Sequence, residues 1–390
     1  MKKRLAALCI ALAGLLAGCT DAKEIDDTAF ILSLGVDIGE EKAYEITFQL
    51  PILANEDSPA FQTITCQAAG LTDAISLLNA NTPYRVDTSH LNFLVIGRAL
   101  AERGVSEVIE PLMRMPQVRE GAMMIVAEDT ANTFLHALQS DEQTNLMQLQ
   151  QSVITEAGSS GLFPFCSLDE FYDTLCEQRN SAVVALGAKR EQNTNDKDAF
   201  SDLAGHTGLE SPLEGEFLGA AVFDGDRMVG TLTGEQTRIW CMAAGKFKSG
   251  NINLNNPFEK GLITMHIKST GAPKVKVDLS GLQPRVQISV PLEGYLVSYA
   301  GREDYEEKIK QGEIQPVVQN YLQTQMDKLS KTFADWGVDG FGVGAHAAAQ
   351  FKTQQAWQNF NWPEKRKHMQ AQLSPTLKIS LYRAELGEER

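Results

Sequence analysis

The sequence predicts an α+β protein with three folded regions, built of mixed and antiparallel sheets flanked by helices, behind a cleaved lipoprotein signal peptide. Three observations predict it. A basic and then apolar leader opens the chain and ends at Cys19. Period-2 strands alternate with 3.6-period helices as far as residue 190, where a polar stretch interrupts them. Past that stretch a run of strands is followed by a run of helices, the segregated arrangement of α+β chains. With 390 residues, 43% hydrophobic and 22% charged, the chain has ordinary globular composition and room for two or three domains. The expected boundaries are a signal peptide at 1–18, an N-terminal α+β domain at 19–190 and a linker at 191–216. A small ββα middle domain at 217–258 and a C-terminal domain at 259–390, an antiparallel sheet with long helices, complete the division.

The leader comes first. Lys2, Lys3 and Arg4 precede an apolar run from Leu5 to Ala17, the charged and hydrophobic regions of an export signal. A run of roughly 13 residues falls short of the roughly 20 that span a bilayer, so the cut after it carries the meaning. Leu16-Ala17-Gly18-Cys19 resembles the bacterial lipobox, in which the thiol takes a diacylglyceryl group and becomes the mature N-terminus. An ordinary secretory signal with a chance cysteine, or an uncleaved anchor, is the plainer alternative. The net charge is -15, and loss of the signal removes three cations more. So acidic a body disfavours nucleic acid and anionic head groups, and leaves attachment to the acyl chains.

The remaining elements follow in order. Ala29–Asp37 reads as a largely buried strand, hairpinned through Gly39–Lys42 to the alternating Tyr44–Leu50. Phe61–Cys66 is a strand, and Leu71, Ala74, Ile75 and Leu78 mark an amphipathic helix. A strand at His90–Gly97, a helix at Ser106–Met115 and a strand at Gly121–Ala127 come next. Helices follow from an Asp129 or Thr130 cap to Gln139, near Asn145–Ala157 and at Leu168–Gln178, then a strand at Ser181–Leu186. Gln192–Asp198 has no apolar period and reads as solvated linker, not as a calcium loop. Leu218–Phe223 and Met228–Leu232 form a hairpin through Asp224-Gly225, and Thr233 with Gln236 makes a capping box for a helix ending near Gly245. Strands at Leu262–Lys268, Lys274–Leu279 and Arg285–Leu292 have one wet face and read as antiparallel. A long helical stretch at Asp304–Trp336 is expected to kink or restart at Pro316, before a helix near Gly342–Phe351 and a closing strand at Thr376–Tyr382.

Chemistry is sparse along this chain. The six histidines are dispersed, and neither a nucleophile elbow nor a phosphate loop occurs. Gly340-Phe341-Gly342-Val343-Gly344 follows a helix and reads as a helix–helix turn; Asp224 and Asp226 read as turn residues. Cys66, Cys166, Cys176 and Cys241 are too scattered for a disulfide framework and read as buried free thiols, with a Cys166–Cys176 bridge as the alternative. No catalytic residue, cofactor or metal is assigned. Cys19, as a lipidation site, is the one site residue.

Several motifs together resemble the Ger(x)C spore germination lipoproteins, the C subunits of nutrient germinant receptors. They are Gly18-Cys19 with Glu24-Ile25-Asp26, Leu34-Gly35-Val36-Asp37, His90–Gly97 and Met115–Arg119. Phe223-Asp224-Gly225-Asp226-Arg227-Met228-Val229-Gly230 with Glu235 is the most specific of them. Val275–Asp278, Asp339–Gly342, Trp357, Trp362 and a closing strand ending at Gly387 follow, so the resemblance spans nearly the whole mature chain. One departure is Thr20-Asp21, where the family usually carries Trp-Asp. The resemblance implies a three-domain, non-catalytic lipoprotein on the outer surface of the spore inner membrane, assembled with membrane-spanning A and B subunits. The competing expectation is a solute-binding lipoprotein that captures the nutrient itself and passes it to a membrane partner. Such proteins show two similar lobes, and no duplication is visible here.

Overall fold

The computed structural model describes residues 28–51, 61–139, 145–191, 202–299 and 305–380. Leader, Cys19, Glu24-Ile25-Asp26, the Gln192–Asp198 stretch and the closing motif's end at Gly387 lie outside these residues. No helix among the described residues is long and apolar enough to cross a membrane.

Fifteen strands and twelve helices are described, in an α+β arrangement. In the first half they are β1 (Thr28–Phe30), β2 (Ser33–Ile38), β3 (Tyr44–Pro51), β4 (Phe61–Ala68), α1 (Leu71–Asn81), β5 (Arg85–Asp87) and β6 (Phe93–Gly97). Then come α2 (Arg98–Arg103), α3 (Ser106–Met113), β7 (Met123–Ala127), α4 (Ala131–Ala137), α5 (Leu146–Ala157), α6 (Leu168–Glu177), β8 (Val183–Lys189), β9 (Gly215–Asp224) and β10 (Arg227–Leu232). Eight strands form one mixed sheet in the order β10-β9-β8-β7-β6-β2-β3-β4. Its middle, β2, β6, β7 and β8, is parallel, and antiparallel hairpins extend it at both ends. Parallel strands are covered on both faces and so read as unbroken apolar runs, as Phe93-Leu94-Val95-Ile96 does. Alternation then sorts the side chains. Leu94, Ile96, Met124 and Val126 face the helices α1, α2, α3 and α6, whereas Phe93, Val95, Met123 and Ile125 face α4 and α5.

The second half comprises α7 (Gly234–Ala244), β11 (Ser249–Asn255), β12 (Leu262–Ser269), β13 (Lys274–Asp278), β14 (Arg285–Tyr299), α8 (Tyr305–Lys310) and α9 (Ile314–Trp336). It ends with α10 (Val343–Ala348), α11 (Gln354–Phe360), α12 (Trp362–Arg366) and β15 (Gln370–Ser380). β14, 15 residues long, is the spine of a five-stranded sheet. β12 and β13 pair end to end along one edge of it, and β15 runs parallel along the other. α9 buries Ile314, Val318, Leu322, Met326, Leu329 and Phe333, one row at helical spacing, in the core over this sheet.

The structure departs from the sequence expectations at five points. The segment 217–258 is not a separate ββα unit: β9 and β10 complete the first sheet by pairing with β8, while α7 joins the second core. The linker at 191–216 is not bare either. From Asp202 it folds back over a buried Arg190–Glu216 pair, Nε to Oε2 at 3.2 Å, and Glu216 also accepts from Thr207 Oγ1 at 2.7 Å. The second sheet is mixed, because β15 starts six residues before the expected Thr376 and pairs in parallel; its buried Pro375 is tolerated in a strand paired on one side only. The helix break precedes Pro316: Gly312, at φ +76°, separates α8 from α9, and Pro316 sits in the first turn where a missing N–H costs nothing. Of the cysteines, Cys166 and Cys241 are buried and free, but Cys176 is exposed, and Cys66 is only half-buried against the first core. β11, rich in asparagine, and the short helices α11 and α12 have no counterpart in the expectations.

The capping box is present in full, Thr233 and Gln236 each accepting from the other's backbone N–H. Asp37, the last acidic residue of the Leu34–Asp37 motif, caps α4 from across the sheet. Its two oxygens accept from the N–H groups of Ala131 and Asn132 at 2.8 and 3.0 Å, while burial pushes its pKa up. Asp37→Ala strands two N–H groups at the helix start and should cost roughly 2 kcal/mol. Urea unfolding at neutral pH, with an unchanged m-value, checks this.

Candidate functional site

Val183, Ala220 and Val222 lie on the β8–β9 end of the first sheet but belong to the core of the second half, packed with Trp240, Phe333 and Trp362. The two halves therefore meet through a continuous apolar seam. Several of the motifs singled out in the sequence converge on it, among them Asp339–Gly342, Trp362 and the Phe223–Gly230 motif with Glu235.

Asp339, in the turn between α9 and α10, is fully buried. Its carboxylate accepts from the N–H groups of Val343 at 3.0 Å and Gly344 at 2.6 Å, so it starts α10. Its backbone meets the first half: Ser181 N–H donates to Asp339 O at 2.9 Å, and Asp339 N–H donates to Ser181 Oγ at 3.2 Å. Trp362 Nε1 donates to Arg179 O at 2.7 Å, and Trp240 Nε1 donates to Gly340 O. Gly344 lies so close to this strand entry that a Cβ there would sit 1.9 Å from Arg179 O. The most specific motif closes the other side. Asp224 accepts from Arg366, whose side chain is only 5% exposed. Asp226 accepts from Ser106 Oγ at 2.9 Å, Gly230 faces the ring of Trp336, and Tyr321 Oη donates to Glu235. Turn chemistry therefore does not exhaust Asp224 and Asp226; each also holds a distant element in place.

Other motif residues act inside one half. Arg119 donates to Asn92 Oδ1 at 2.6 Å, and Asn92 donates to Gln150 at 2.8 Å, tying the Met115–Arg119 turn to the head of β6. Val277 O accepts from Gln350 at 2.9 Å, and Asp278 caps the β13–β14 turn through Ser280. Trp357 stacks with Phe360 and tilts against Trp362. Sequence reasoning missed the contacts of Arg366, Ser181 and Trp336, and helical spacing marks Tyr321 only as part of the apolar face of the long helix. Cys19 lies outside the described residues.

Desolvation pushes the Asp339 carboxyl up to about 6, against the pull of the Val343 and Gly344 N–H groups and of Arg366. The thiols are pushed up by burial as well, Cys241 to about 12 and Cys166 still further. A cavity of about 130 Å³ opens at the seam between Asn180, Lys246 and Gly340. Among the described residues no group of three or more His, Cys, Asp or Glu is placed to hold a metal ion. The arrangement works as a joint: its charged groups are engaged with one another, with hydroxyls or with backbone.

Fold and seam define an α+β protein of two sheets whose seam residues hold its halves together. Residues 21–187 match the spore germination protein N-terminal domain, and residues 218–382 the spore germination B3/GerAC-like C-terminal domain. The chain belongs to the Ger(x)C family of spore germination proteins. It is 22% identical to spore germination protein B3 of Bacillus subtilis (strain 168) over 297 residues, 72% of this chain and 71% of that one. To spore germination protein GerQC of Bacillus cereus it is 16% identical, over 96% of this chain and 97% of that one. The crystal structure of the GerBC protein shares the fold, with a TM-score of 0.53 at 14% identity over 89% of this chain and 96% of that chain.

Two outcomes are expected. Gly344→Ala drives a methyl group into backbone and should cost about 2–3 kcal/mol, whereas Gly271→Ala, with nothing within 4 Å, should be near neutral; thermal unfolding separates them. The raised pKa of Asp339 means that the folded state holds a proton that the unfolded state has released between about pH 4 and 6. Its contribution to stability therefore falls as pH rises through that window, by at most about 1.4 kcal/mol per unit. Asp339→Asn should remove that slope, so wild type gains on the variant between pH 6 and 4.

Proposed function

We propose that this chain is the lipid-anchored, non-catalytic C subunit of a nutrient germinant receptor, held by Cys19 on the outer face of the spore inner membrane. It assembles there with the membrane-spanning A and B subunits. One observation carries this reading. Residues of the motifs that carry the family resemblance, Asp224, Gly230, Glu235, Asp339 and Trp362, lie along a packed joint and not around an open cleft. Such residues maintain a shape, and a shape is what a receptor scaffold supplies. The lipobox motif supports the tether, because two or more acyl chains hold an acidic body at a bilayer that its charge would not favour.

The solute-binding reading finds less support. Its two lobes would be alike, but here one half is an eight-stranded sheet with a parallel centre and the other a five-stranded sheet around β14. The expected result for Cys19→Ala is release from the membrane fraction and loss of nutrient-triggered germination. Normal germination with a strictly soluble variant overturns the proposal. Stabilisation of the soluble body by a nutrient, rising with concentration as mass action requires, favours the solute-binding reading instead.

A further inference from the structure

We propose that the corner formed by the end of α1 and the start of β5, with Leu77, Tyr84 and Arg85 at its tip, lies against the lipid head groups of the bilayer to which the chain is tethered. The inference rests on the Cys19 anchor and adds an orientation to it. β1 and β5 pair in parallel with Thr28 opposite Arg85. Parallel strands enter from the same end, so Thr28, the first described residue, lies at the Tyr84–Arg85 end of β5. From Cys19 to Thr28 there are nine peptide steps, and at 3.3–3.6 Å each a fully extended chain reaches roughly 30 Å. The acylated end therefore cannot travel far from this corner.

The corner has the chemistry of an interfacial surface. Leu77 is 37% exposed and Tyr84 is 41% exposed, with Pro83 and Arg85 exposed between and beside them. Residues 74–86 carry no carboxylate and Arg85 is their only charge, although Asp73 and Asp87 bound the stretch and Asp26 and Asp27 precede Thr28 in the sequence. Elsewhere an acidic surface would be repelled by anionic lipid; here Tyr, Leu and Arg suit the head-group layer. The tip is also fixed in shape. Thr82 Oγ1 donates to Leu78 O and Tyr84 O, both at 3.0 Å, and Val86 N–H donates to Asn79 Oδ1 at 2.8 Å. A rigid apolar tip meets a surface with little ordering to overcome.

The test places a photoreactive benzoylphenylalanine at position 84, or at position 282, in full-length lipidated protein. Leu282 is the sharper control because it is 92% exposed, on the turn after β13. Each protein is bound to vesicles of phosphatidylcholine and phosphatidylglycerol, irradiated, and scored for lipid adducts. Adducts at position 84 several-fold above those at 282 are expected. Equal adducts, or more at 282, overturn the orientation while leaving the anchor intact. If the protein does not float with the vesicles at all, the anchor reading fails, and the orientation that depends on it falls with it.

Discussion

The carboxylate of Asp339 is the constraint on which the rest of the joint depends. It is buried with two backbone N–H groups on its oxygens, and the turn it holds brings Gly344 and Trp362 onto the carbonyl of Arg179. Were that turn to relax, Trp240 would lose its acceptor at Gly340 and Arg366 would lose one of two nearby acids. Burial opposes the charge, and the backbone donors offset that opposition only in part. A buried carboxylate that must find specific donors tolerates few alternative packings, which is how a joint between two cores keeps a single geometry.

The two sheets divide the work unevenly. Four parallel strands buried on both faces make the first half a rigid block. The second half relies on β14, whose two edges serve three partners, and on α9, which covers one face. α7 belongs to both: chain order puts it directly after β10 of the first sheet, and packing puts it in the second core.

Local features were legible in the sequence. The capping box at Thr233 and Gln236, the Asp224-Gly225 hairpin, the buried strand at β6 and the helical row of α9 follow from spacing alone, because each is decided within a few residues. What was not legible is long-range. Nothing near Asp224 announces Arg366, 142 positions away. Nor does the polarity of Glu216 reveal that it is buried with Arg190. The hairpin of β9 and β10 looked self-contained because its turn is strong, and only pairing with β8 assigns it to the first sheet. β11 was hidden by its asparagines, which are poor strand formers until a neighbouring strand supplies the ladder.

The shared face of β8 and β9 also bears on how the chain is made. Val183, Ala220 and Val222 are covered by residues that follow them, from Trp240 to as late as Trp362. As the polypeptide is made, the first sheet can close on its own helices, yet one end of it stays wet. It remains an open apolar template until almost the whole chain has emerged. A product truncated within α9 would thus carry a finished sheet with a sticky flank, a natural substrate for quality control.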